Sequence, residues 1–138
     1  MTTQENLILT PTAPGELIDK ITVLKIKEER IKDEARLLNV RKELLMLEET
    51  REKSFPKNSQ VIGKLAKLEA SLKKSNEEIW DMGDKIRELG DKQNFGKEFT
   101  DVAYGIHLAN DKRAAIKKEI NLMLGSGIVE EKSYKHWK

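Results

Sequence analysis

At 138 residues the chain has room for one domain, and with no cysteine it carries neither disulfides nor thiolate metal sites. Its 26 basic and 24 acidic side chains leave a net charge of +2, and acid-to-base pairs four apart, such as Glu28–Lys32 and Glu69–Lys73, suit solvated helix faces. That interspersion points away from nucleic acid, and no run approaches the ~20 apolar residues of a membrane span, so the expectation is a cytoplasmic protein.

Residues 1–13 read as an arm, briefly extended at Leu7–Leu9. Pro14 suits a first helical turn, because its φ is already helical and its missing N–H is not needed there. Glu16 and Asp19 follow on the favourable side of the helix dipole. From Glu16 to Phe55 there is neither proline nor glycine, and Leu17, Ile21, Leu24, Ile31, Ala35, Leu38 and Leu45 recur at helical spacing. This predicts one helix over 14–52, about 55–60 Å long.

Pro56 breaks the chain, and Asn58 or Ser59 is placed to cap a second helix. Its stripe is Ile62, Leu65, Leu68, Leu72, Ile79, Met82, Ile86 and Leu89, and Gly90 ends it. After Asp91–Asn94 a third helix carries Phe99, Val102, Ala103, Ile106, Ala109, Arg113, Ile116, Ile120 and Met123, stopping at Gly125. Two short loops then predict an all-α, elongated three-helix antiparallel bundle, up-down-up, over 14–125, with a tail at 126–138. The long first helix is coiled-coil-like, and its first turns overhang the others by roughly 10 Å. Leu17, Ile18 and Ile21 lie in that overhang and read as a candidate interface for a second copy, most simply a two-fold homodimer.

Hairpin geometry brings three amides to one level. If the second and third helices turn about residue 93, Asn76 lies level with Asn110; a turn about residue 56 puts it within one helical turn of Asn39. Such a layer fixes register at some cost in stability. Extended by Trp80, Asp81, Asp111 and Arg113, it reads instead as a candidate ligand pocket. Gly83, in mid-helix, suggests close packing against Ala103 and Gly105, or room for the Trp80 ring.

Other constellations are poorer. Neither His107 nor His136 follows an acid by three residues, as an inward di-metal pair requires, so no metal is expected. With no cysteine and no serine beside an identifiable base, nucleophilic catalysis has no candidate. Glu77, Asp81 and Asp84 share a helix face that reads as solvated. Thr12-Ala13-Pro14-Gly15-Glu16 opens a helix but loses a donor to Pro14 and gains a repelling charge at Glu16. Gly125-Ser126-Gly127 reads as a helix terminator, and Tyr134 and Trp137 make the tail a loose end or a docking handle.

Several segments together carry a resemblance: Pro14-Gly15-Glu16-Leu17-Ile18-Asp19-Lys20-Ile21-Thr22, Asn39-Val40-Arg41-Lys42-Glu43-Leu44, Asn76 through Trp80-Asp81, Asn110-Asp111-Lys112-Arg113-Ala114, and Gly125-Ser126-Gly127-Ile128 through Tyr134. With these the chain resembles a family of short, all-helical bacterial proteins known as a domain of unknown function. Gly83 stands where that family usually has an acidic residue. The resemblance implies no activity, substrate or partner. The run Ile18-Asp19-Lys20-Ile21-Thr22-Val23-Leu24 is also similar to the first helix of the small helical chorismate mutases, which neutralise a dicarboxylate with cations; Arg30 and Arg41 are the nearest counterparts.

The reading is a non-catalytic helical interaction or accessory module that self-associates, with no cofactor and a protein partner in place of a membrane or nucleic acid. The alternative is a small-molecule or enzymatic site on the central Asn, Trp, Asp and Arg layer.

Overall fold

A computed structural model describes residues 6–133 and Lys135. The first five residues of the arm, and Tyr134, His136 and Trp137 with the docking handle read there, lie outside the described residues.

Among the described residues there are four helices and no strand: α1 Pro14–Arg30, α2 Glu34–Ser54, α3 Ser59–Asp91 and α4 Lys97–Met123. The chain is all-helical as expected, but the three-helix count is corrected to four. The single helix read over 14–52 is a helical hairpin, broken at residues 31–33 without proline or glycine. Ile31 takes an extended conformation (φ −77°, ψ 132°), its N–H still donating to the Lys27 carbonyl at 2.8 Å. Asp33 then caps α2, its Oδ2 accepting from Arg36 N–H at 3.0 Å. Lys27 and Arg30 close α1 and Glu34 opens α2, each on the favourable end of its dipole.

The burial pattern changes across the break. Helix α1 is buried on two faces, Leu17, Ile21 and Leu24 on one and Ile18, Thr22 and Ile26 on the other, whereas α2 turns a single stripe inward, Leu37, Val40, Leu44 and Leu47. At 3.6 residues per turn the α2 stripe is in phase with the Ile18 face and roughly 150° from the Leu17 face. Folding back lets α2 bury its one stripe while covering part of α1. Ala35, Leu38 and Leu45, read above as part of a single stripe, are exposed.

Cross-helix contacts fix the directions. Ser75 Oγ donates to the Ala109 carbonyl at 3.4 Å, and nearer the turn Lys85 pairs with Glu98 at 3.2 Å, so α3 and α4 are antiparallel. Gly15 lies beside Asn121 and Asp19 beside Arg113, so α1 is antiparallel to α4 and runs with α3. Lys20–Glu43 at 3.0 Å and Glu28–Arg41 at 3.5 Å lay α2 back along α1. The order is up-down-up-down. The backbone of α2 lies against α1 and not against α3 or α4. Its polar tie to α3 is Arg51–Glu69 at 2.6 Å, and Leu44, Leu47 and Phe55 add side-chain packing.

Helix α1 is therefore the inner helix. Leu17, Ile18 and Ile21 pack against Leu65, Leu72, Ile116 and Ile120; Ile18, Ile21, Leu72 and Ile120 have no exposed surface. Each such burial contributes about 1.5–3 kcal/mol. The three residues read as an overhanging interface are thus interior to the chain. The overhang disappears because the helix that carries them has 17 residues, about 25 Å, and not twice that. The overhang belongs to the other end: α3, at 33 residues, continues beyond Arg30 as a two-helix hairpin with α4. There Met82 Sδ fills the space beside Gly105, and Phe95 meets Phe99 edge to face at 5.2 Å.

Candidate functional site

Where α1 crosses the α3–α4 pair, a buried polar cluster interrupts the apolar core. Asp19 and Thr22, three apart, are the polar members of the inner face of α1. Asn76 of α3 donates its Nδ2 to Asp19 Oδ1 at 2.8 Å and to Thr22 Oγ1 at 2.9 Å. From α4, Arg113 Nε donates to Asp19 Oδ1 at 2.9 Å while a second guanidinium nitrogen bonds Oδ2. This is the two-pronged geometry that makes arginine the strongest partner of a carboxylate. Thr22 in turn donates to the Asp19 carbonyl at 2.7 Å.

One turn further along α4, Lys117 forms a close pair with Glu16 and stands 3.9 Å from Asp19. Another turn on, Asn121 Oδ1 accepts from Gly15 N–H at 2.7 Å. That bond depends on a close approach: a Cβ on Gly15 would stand 2.5 Å from the Lys117 carbonyl oxygen and 2.8 Å from Asn121 Oδ1. Arg113, Lys117 and Asn121 recur every four residues, so one stripe of α4 meets Asp19, Glu16 and Gly15 in turn along the start of α1.

Burial pushes the Asp19 carboxyl up, but hydrogen bonds from Arg113 and Asn76, with the charges of Arg113 and Lys117, outweigh it and hold the group below its ordinary value. Glu69 behaves alike. Burial raises it, and hydrogen bonds from Arg51 and Lys25 more than compensate. Its partners lie at 2.6 and 3.0 Å and come from α2 and α1. No buried side-chain nitrogen or oxygen among the described residues lacks a hydrogen-bond partner.

Of the residues singled out in the sequence, Asn76, Asn110 and Arg113 come together. Asn110 Oδ1 faces Arg113 at 3.5 Å. Asn39 does not join them; it is exposed on α2, whose inward stripe runs in a different phase. Trp80 and Asp81 form a separate group at the end of α1, where Arg30 lies 5.6 Å from the Trp80 ring centre and bonds Asp81 at 2.7 Å. Asp111 is exposed on the outer side of α4. The helical arithmetic missed Asp19, Thr22, Lys117 and Asn121. Asp19, read as a dipole partner, lies four after Gly15 and seven before Ile26, on a face of α1 that is buried.

A cavity of about 530 Å³ lies on the other side of this stripe, between the arm, α4 and the tail. Thr12, Ala13, Ala114, Lys117, Asn121 and Val129 are among its walls, and it touches none of Asn76, Trp80, Asn110 and Arg113. No group of three or more His, Asp or Glu among the described residues could hold a metal ion, and none of the helices is long and apolar enough to cross a membrane. Comparison with family models, with curated proteins and with solved structures returns no match, so the site is read from its own geometry.

Proposed function

We propose that this protein is a non-catalytic helical interaction module that pairs with a second copy through the outer face of α2. The observation that carries this reading is the division of labour between inside and outside. Asp19, Thr22, Asn76 and Arg113 are taken up in holding α1 to α3 and α4, while α2 turns Leu38 and Leu45, 66% and 62% exposed and seven residues apart, to the outside.

Along that face the order is Glu34, Leu38, Arg41 and Lys42, Leu45, Glu49. A second copy crossing head to tail about Leu38 sets Glu34 of each chain beside Lys42 of the other, in a short antiparallel coiled coil. In that register the two Leu38 side chains meet and each Leu45 lies past the start of the partner's α2, so two buried leucines contribute about 3–6 kcal/mol, at the low end of the 4–15 kcal/mol cost of association, and a weak, concentration-dependent dimer is expected.

Sedimentation velocity over a range of concentrations tests this. The expected result is a mass rising towards two chains, abolished by the Leu38→Glu/Leu45→Glu variant. A single-chain mass throughout, or a double variant that dimerises as well as the parent, would overturn the reading.

A further inference from the structure

The cavity under the tail has a floor whose polar groups are incompletely used. The Lys117 side chain is only 14% exposed, yet among the described residues Glu16 is its one close partner; Asp19 at 3.9 Å and Glu130 at 3.8 Å stand beyond hydrogen-bond reach. The side chain of Asn121, a residue 94% buried by its 6% exposure, lines the same cavity with its oxygen taken by Gly15 N–H. Its amide Nδ2 has no acceptor among the described residues and is not itself fully buried, so it is open to a ligand. Four residues apart on one helix, the two donors are neighbours, about 5–6 Å apart at Cβ.

After Glu16, the tail supplies the carboxylate next nearest to Lys117. Gly125, at φ +66°, ends α4, and Ser126 N–H returns to the Asn121 carbonyl at 2.9 Å, which turns the chain back along the helix. Glu130 thereby arrives over Lys117. Its side chain is 52% exposed and shared with Lys132 at 3.4 Å, on a segment with little other packing. Beside it, Ala13, Ala114, Ala115, Ile128 and Val129 form apolar walls. The volume is that of a small-molecule site.

We infer that this cavity binds a small monocarboxylate with a compact apolar body, whose carboxylate takes the place of Glu130 over Lys117 and accepts from Asn121 Nδ2. Glu16, Asp111 and Glu131 at the walls and rim are balanced by Lys118, Lys132 and Lys135, so the Lys117–Asn121 pair is the place in this cavity where a buried cation and an amide donor converge on a single acid group. The alanines and the Ile128–Val129 pair suit a short branched or aromatic body. This site is independent of the α2 face, and its test does not depend on oligomeric state.

The experiment is calorimetric titration of the full chain with phenylacetate and with its neutral analogue phenylacetamide. Phenylacetate is expected to bind, and phenylacetamide to bind at least about tenfold more weakly, since charge-assisted bonds are lost. Glu130→Gln removes the internal competitor and is expected to tighten phenylacetate about three- to fivefold, the equivalent of one exposed ion pair. Lys117→Gln is expected to abolish binding. Should that variant fail to fold, the Glu130→Gln comparison decides alone. Equal binding of acid and amide, an affinity unchanged by Glu130→Gln, or no heat with either folded protein would overturn the inference.

Discussion

Asp19 and Arg113, 94 residues apart in sequence, meet through two hydrogen bonds, one to each oxygen of the carboxylate. The Asp19 side chain is 5% exposed and that of Arg113 31%, so the pair lies at the inner edge of the fold with its acid end dry. Removing one partner of such a pair leaves the other charge uncompensated. Arg113→Ala is expected to destabilise by about 3 kcal/mol, the low end for a broken buried pair because Lys117 remains nearby. Urea unfolding curves measure it; a loss below about 1 kcal/mol would make the pair a surface contact in energetic terms.

Asn76 is expected to be intolerant of leucine. A buried asparagine that serves only to set register is replaceable by an apolar residue at little cost or with gain. This one gives its amide to both Asp19 and Thr22, and a leucine would place methyl groups against a carboxylate. The expected cost is about 1–3 kcal/mol. An increase in thermal stability of Asn76→Leu would show that Arg113 alone satisfies Asp19.

Stability should fall in acid with a steepness traceable to two residues. Asp19 and Glu69 are both held below their ordinary values in the folded chain. For depressed carboxylates the folded state binds fewer protons than the unfolded one. Their contribution is therefore complete above the ordinary values, about 3.9 and 4.3, and is lost as pH falls from there through the folded-state values. Thermal melts from pH 7 to pH 2.5 on the parent and on Asp19→Asn/Glu69→Gln separate this from the other carboxylates. The double variant should be less stable at neutral pH and show a shallower decline in acid; parallel curves would contradict the assignment.

Two glycines should respond oppositely to alanine. At Gly15 the new Cβ would meet backbone of α4 at 2.5 Å, so α1 must lift from α4, at an expected cost of about 1–3 kcal/mol. At Gly63 nothing lies within 4 Å, and the helix should gain about 0.5–1 kcal/mol. Midpoints of chemical denaturation measured side by side give both signs.

The later half of the fold was legible because its signals are local. Asn58 caps α3 by accepting from Gln60 and Val61 N–H, Gly125 closes α4, and the turn near residue 93 sets Ser75 beside Ala109, so Asn76 and Asn110 do lie near one level. The first half misled because a helix break was sought at proline and glycine. The break at 31–33 is made by Asp33 as a cap, and the seven apolar residues read as one stripe share a single phase that turns outward in α2, at Ala35, Leu38 and Leu45, so the stripe runs across the break without a signal. Asn39 left the polar layer for the same reason. Once the first helix folds in two, the residue opposite Asn76 belongs to α1, and Asp19 is that residue. Gly83, read as a packing glycine, would meet only the end of the Arg87 side chain at 3.3 Å; the packing glycine is Gly105.

The position of α1 at the centre of the bundle sets an order on the chain's birth. Translation produces α1 first, but the groups that satisfy it, Arg113, Lys117 and Asn121, are produced last. Until α4 clears the ribosome, Asp19 lacks its counter-charge and has only the Asn76 amide, and the apolar surface around Ile18 has only α2 and the Leu65 and Leu72 side of α3 for cover. The N-terminal half must wait, unfolded or chaperoned, for the C-terminal half, so chains stalled before Arg113 should stay open to protease within α1. Folding of this bundle in that sense waits on its last helix.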